Sequence, residues 1–116
     1  MHRSIAAGKP EAIEKVATIA DSLGAPFAMP FSFELCRDNI DELVMVDDNQ
    51  LGTAMHNLFR NMKIAVEPAC AATTAALLGP LADRFVQKRV VLVMCGSNID
   101  WQTYASQVSP RIRNAD

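Results

Sequence analysis

One helix constrains this chain more than any other feature. Leu51, Ala54, Met55, Leu58, Phe59 and Met62 recur at i, i+3, i+4, i+7, i+8 and i+11, a continuous apolar stripe along one helical face. Asp47 stands before the stripe as an N-cap, and Gln50 follows three residues on as its capping-box partner. Short apolar runs flank the helix: Leu43–Val46 before it and Ile64–Val66 after it, both of strand length. A third run, Val90–Met94, is the strongest, with five apolar residues of which three are valine. Strands that alternate with helices predict an α/β unit with a mostly parallel sheet. The expected architecture is therefore a partial three-layer α/β unit, with residues 1–116 forming one domain.

The remaining segments fill in that plan. The stretch to Pro10 contains Gly8 and Lys9 and reads as loop. Ile13, Val16, Ile19 and Leu23 carry a weak helical spacing. Gly24, Pro26 and Pro30 break whatever precedes them, and a short helix follows through Phe31, Leu35 and Cys36. Pro68 suits the first turn of a helix, where its missing N–H costs nothing. From Ala69 to Leu78 nearly every residue is small, which lets another backbone or a flat ligand come close; Gly79-Pro80 ends that helix. Asp100 can cap a last helix bearing Trp101, Tyr104, Ala105 and Val108.

Composition excludes several classes. The 116 residues carry a net charge of −2 with scattered basic side chains, so no phosphate-backbone tracker is expected and nucleic acid is not a partner. No apolar run approaches the ~20 residues of a membrane helix. The first residues lack the apolar core of a signal peptide. Three cysteines at wide spacing, Cys36, Cys70 and Cys95, fit neither a disulfide framework nor a zinc site. Reduced thiols in the cytoplasm follow, and no metal-ligating set is expected.

In parallel α/β sheets, ligands sit outside the carboxyl ends of the strands. Two segments stand there: Glu67-Pro68-Ala69-Cys70 and Cys95-Gly96-Ser97-Asn98. Together, Val66-Glu67-Pro68-Ala69-Cys70-Ala71-Ala72 and Val91-Leu92-Val93-Met94-Cys95-Gly96-Ser97-Asn98-Ile99-Asp100 resemble the closing motifs of the fold-type-II pyridoxal-phosphate (PLP) enzymes. The serine/threonine dehydratases and serine racemases belong to that group. Arg3-Ser4, Gly8-Lys9-Pro10 and Thr18-Ile19-Ala20-Asp21 resemble it too, and the likeness runs to about Val108.

The resemblance implies part of the large domain of such an enzyme, with PLP as cofactor, an amino acid as substrate and a homo-oligomeric assembly. It places Cys95 at the pyridine nitrogen, Glu67 near the ring edge and Gly96 where backbone approaches the ring. A thiol is a weak donor and a weak acceptor, so Cys95 does not force that nitrogen to be protonated. An unprotonated ring is a poorer electron sink, which favours prompt expulsion of a β-hydroxyl. The implied reaction is β-elimination from L-threonine or L-serine to a 2-oxo acid and ammonia. Many dehydratases carry Ser where Cys95 stands, and the Thr-Ile-Ala-Asp segment is closer to the threonine dehydratase and racemase branch. A serine racemase segment is thus one alternative, and a non-catalytic interaction module is another.

The family's cofactor-anchoring lysine lies in a Ser-x-Lys-x-Arg-Gly-type motif, which none of Lys9, Lys15, Lys63 and Lys88 matches. The glycine run that cradles the cofactor phosphate is also missing, because no two glycines are adjacent. The chain is therefore expected to be a C-terminal fragment that needs the missing N-terminal part of the enzyme, to be inactive alone, and to hold no catalytic residue itself. Plainer readings compete at each position. Cys95 could be an inert thiol and Glu67 a surface carboxylate, Cys70 reads as packing, and His56 reads as exposed or half-exposed. Asp21 is either a site residue or a turn residue.

Overall fold

Residues 1–112 are described by the structure, a computed structural model. They form two compact units, Met1–Val44 and the remainder from Met45 onward.

In the first unit, helix α1 (His2–Ala7) packs on helix α2 (Pro30–Asn39). The expectation of a loop up to Pro10 is corrected here: residues 2–7 are helical. Six residues are too few to show a period. The stop signal was nevertheless present, because Gly8 takes the left-handed conformation at φ 68° and Pro10 follows it. Ser4 is 1% exposed, and its hydroxyl accepts the Glu11 N–H at 3.0 Å, which ties the helix to the chain that leaves it. The weak helical spacing over residues 11–23 yields only a 3-10 turn at Asp21–Leu23. An antiparallel bridge pairs Ala12 with Phe27, and the Ile13 N–H donates to the Pro26 carbonyl at 2.8 Å. Ile13, Val16, Thr18 and Ile19 are β-branched and lose χ1 freedom in a helix, so extended backbone wins. Helix α2 begins with Pro30 at its first position and buries Phe33.

The second unit is built on α3 (Asp48–Met62), packed against α4 (Pro68–Leu78) and α5 (Trp101–Ile112). The capping box forms as the sequence predicts. The Gln50 N–H donates to Asp47 Oδ1 and the Asp47 N–H donates to Gln50 Oε1, both at 2.8 Å. Leu51, Ala54, Met55 and Leu58 of the stripe are buried, with Met55 fully so. Each large side chain among them contributes roughly 1.5–3 kcal/mol by leaving water. Phe59 and Met62 at the far end stay exposed, and Phe59 tilts against the Tyr104 ring at 5.8 Å between centroids. Tyr104 is buried, and its hydroxyl donates to the Met55 carbonyl at 3.4 Å. Asp100 caps α5 by accepting the Thr103 N–H at 3.0 Å, as expected. That bonding, from the Thr103 side chain as well as its backbone, holds the Asp100 carboxyl below the ordinary carboxylate range.

The three apolar runs form no strand among the described residues. A strand exists only through a ladder to a neighbour about 4.8 Å away, which must supply its donors and acceptors. Val91 is 91% and Val93 65% exposed, so this run lacks the layers that bury a parallel strand. The helices expected from Phe31, Leu51, Pro68 and Trp101 onward are in place, and no sheet is formed among the described residues.

Two expectations follow. Asp47→Ala removes one half of the capping box and lowers thermal stability by about 1 kcal/mol, whereas Asp47→Asn retains an acceptor and stays near the parent. Burial raises the Tyr104 phenol above its ordinary value. A raised acid favours the folded state below the unfolded pKa, and this contribution is lost as pH rises through the folded one. Thermal midpoints measured across the alkaline range fall for the parent, and Tyr104→Phe flattens that fall.

Candidate functional site

Helix α4 starts where it does because Pro68, at its first position, has no N–H to leave unsatisfied. Glu67 is the residue before it, in extended conformation, and its carbonyl accepts the Ala71 N–H at 3.2 Å to close the first turn. Its side chain makes no capping bond to α4. The half-buried Glu67 carboxylate therefore stands at the positive end of a helix without being consumed in holding that end.

A second segment is tied beside it. The Glu67 N–H donates to the Gly96 carbonyl at 3.2 Å. Three residues earlier, the Thr73 hydroxyl of α4 donates to the Val93 carbonyl at 3.3 Å. These bonds bracket Cys95, whose side chain is exposed. Beyond it the Ile99 N–H returns to the Ser97 carbonyl at 2.9 Å, which tightens the turn into α5. At Gly96 a Cβ atom would fall 2.6 Å from both Cδ and Oε1 of Glu67, so the carboxylate is folded onto the glycine.

The structure thus brings together Glu67 and Gly96, with Cys95 adjoining them. The role of Thr73 was missed from sequence, because a threonine in a run of small residues gives no sign of which distant carbonyl it meets. Cys70 is 2% exposed in the core and agrees with the packing expectation. His56 is half-buried, and its Nε2 lies out of solvent without a hydrogen-bond partner, as does the Thr74 hydroxyl oxygen. Asp21 heads its 3-10 turn and accepts the Ser22 N–H at 2.8 Å, which is turn chemistry. Trp101 is exposed and stacks on Tyr104 at 6.4 Å between centroids. A shallow open groove of about 210 Å³ lies wholly in the first unit, between α1 and the end of α2, and none of Glu67, Cys95 and Gly96 lines it. Among the described residues no three His, Cys, Asp or Glu side chains converge to hold a metal ion, and no helix is long and apolar enough to cross a membrane.

Comparison with known proteins gives a consistent result. The family profile described as pyridoxal-phosphate dependent enzyme matches residues 1–96. Phenylserine dehydratase of Ralstonia pickettii is 49% identical over 105 residues, which is 90% of this chain and 32% of that protein. L-threo-3-hydroxyaspartate ammonia-lyase of Saccharomyces cerevisiae is 36% identical over 93 residues, 79% of this chain and 28% of the relative. Among solved structures, maize serine racemase superposes with a TM-score of 0.77 at 31% identity, covering 94% of this chain and 35% of that one. The chain spans about a third of the length of the curated relatives it matches.

The exposures order the three thiols. A thiol-alkylating reagent applied to the folded chain modifies Cys95 first, the half-buried Cys36 more slowly, and Cys70 only on unfolding. Peptide mapping at successive times checks the order, and early modification of Cys70 would refute this packing.

Proposed function

Because this chain belongs to the pyridoxal-phosphate dependent enzymes of fold type II, we propose that the full-length protein is a PLP-dependent ammonia-lyase. It converts L-threonine or L-serine by β-elimination to a 2-oxo acid and ammonia. The observation that carries this is the seating of the Glu67 carboxylate on Gly96 beside the exposed Cys95 thiol, at the start of a helix of small residues. Two relatives named a dehydratase and an ammonia-lyase support the reaction class.

The residues present fit the ring side of the cofactor. When bound, PLP supplies an electron sink for the carbanion at the substrate Cα. Cys95 would face the pyridine nitrogen with a group that donates and accepts weakly, and so would impose no proton there. Glu67 would lie at the ring edge, where the N-terminus of α4 favours its negative charge. From Pro68 to Ala72, α4 carries nothing bulkier than proline, which leaves room for a planar ring. Gly96 would border this side of the site through the Glu67 carboxylate folded onto it.

The phosphate side is a different matter. All four lysines are exposed; Lys9 pairs with Glu11 at 3.6 Å, and Lys63 donates to the Arg60 carbonyl at 2.7 Å. The cofactor-anchoring lysine and the phosphate loop therefore come from outside these 116 residues, and the chain by itself is inactive. On this reading residues 1–116 are part of one α/β catalytic domain. Its sheet completes against the rest of the enzyme, where Val91 and Val93 find their cover. Three free cysteines support a reducing, cytoplasmic compartment, and the full-length enzyme is a homo-oligomer.

Racemisation of serine is the second reading, favoured by the likeness to maize serine racemase. The chirality of recovered serine distinguishes it from elimination. A non-catalytic interaction module would instead show a concentration-dependent oligomer with no affinity for PLP.

In the full-length enzyme, Cys95→Ala weakens PLP retention or slows elimination from threonine, serine or phenylserine by up to about tenfold, the scale of one lost hydrogen bond. Equilibrium dialysis and an oxo-acid assay measure the two effects. Cofactor affinity and turnover both equal to those of the parent would remove Cys95 from the site.

A further inference from the structure

Resting on that reading, we propose that Gly96 is a positioning residue that acts through Glu67: its missing side chain is the seat of the Glu67 carboxylate. The usual reason for a glycine in a turn is a left-handed backbone, but Gly96 is not in that region. Among the described residues Gly8 is the glycine with positive φ. Alanine is therefore permitted at position 96 by the backbone. What excludes it is space, because its Cβ would meet Cδ and Oε1 of Glu67 at 2.6 Å and Cγ at 3.1 Å.

Those atoms are the far end of a flexible side chain, whereas the peptide beneath them is held. The Glu67 N–H to Gly96 carbonyl bond is made by backbone on both sides and survives the substitution. The Thr73 hydroxyl on the Val93 carbonyl fixes the same segment from further up α4. A methyl group at position 96 thus moves the carboxylate and leaves the fold in place. The carboxylate leaves the spot to which the N-terminus of α4 and Gly96 together assign it. Gly96 matters to the cofactor because Glu67 does, and a direct approach of its backbone to the ring is not needed to explain the glycine.

A double-variant cycle in the full-length holoenzyme tests this, with Gly96→Ala, Glu67→Ala and both together. Each protein is read by its cofactor absorption spectrum, its kcat and its thermal midpoint. Gly96→Ala alone is expected to perturb the cofactor spectrum and to lower kcat on the order of 10- to 100-fold, the scale of an ångström-level misplacement. In the Glu67→Ala background, which removes all three contacting atoms, it is expected to change neither. The overturning results are equal effects of Gly96→Ala with and without Glu67, which would mean direct contact with the ring or plain structural damage, and no effect in either. Thermal midpoints of the same proteins stripped of cofactor read the contact independently. Coupling between the two positions there, in a wild-type protein that neither retains PLP nor eliminates, would sink the ammonia-lyase reading and leave the contact standing. Additive midpoints would overturn the contact itself.

Discussion

Burial of the α3 stripe against α4 and α5 is the interaction on which the second unit depends. The capping box at Asp47 and Gln50 sets where α3 begins, and hence which residues share its inner face. Leu51, Met55 and Leu58 then leave water together. Because the inner side of α4 offers Cys70, Ala71, Thr74 and Ala75, little side-chain bulk separates the two helices. Tyr104 brings α5 to the same core with its ring and satisfies its hydroxyl on the Met55 carbonyl. A buried phenol left without that acceptor would cost about 1–3 kcal/mol, so ring and carbonyl fix each other.

The candidate site grows out of this packing. Once α4 is placed, its first residue fixes Glu67, and the Glu67 N–H selects the Gly96 carbonyl as partner. Cys95 owes its position to two backbone carbonyls, Val93 before it and Gly96 after it, each held from α4 or its cap. Its thiol is free and exposed. The segment that delivers Cys95 is also the most apolar exposed stretch of the unit, through Val91 and Val93. The chain covers about a third of its relatives' length, and its apolar runs form no ladder among the described residues.

Legibility in the sequence followed the range of the interaction. The Asp47 and Asp100 caps, Pro68 opening α4 and Gly79 closing it each depend on residues within a few positions, and each is found where it was expected. Helix α1 was illegible because six residues cannot display a period, although Gly8 and Pro10 marked its end. Between Glu11 and Leu23 the apolar spacing misled, since it takes no account of how poorly Ile13, Val16, Thr18 and Ile19 suit a helix. At the site, the motif likeness singled out Glu67, Cys95 and Gly96. It carried no information about Thr73, whose partner lies twenty residues away.

By itself the sequence determined the helices of the second unit, the caps of α3 and α5, the proline that opens α4 and the pair of segments from which a site could be made. These rest on local hydrogen bonds and on a period that any helix must respect. Only the tertiary structure decided that the Glu67 carboxylate folds over Gly96, that Cys95 faces outward while Cys70 is enclosed, and that the three apolar runs join into no sheet among the described residues. The physical reason is common to all three. A contact between Glu67 and Gly96, a wall around Cys70 and a ladder beside Val91 are each made by atoms distant in the chain, and no local pattern states where those atoms come to rest.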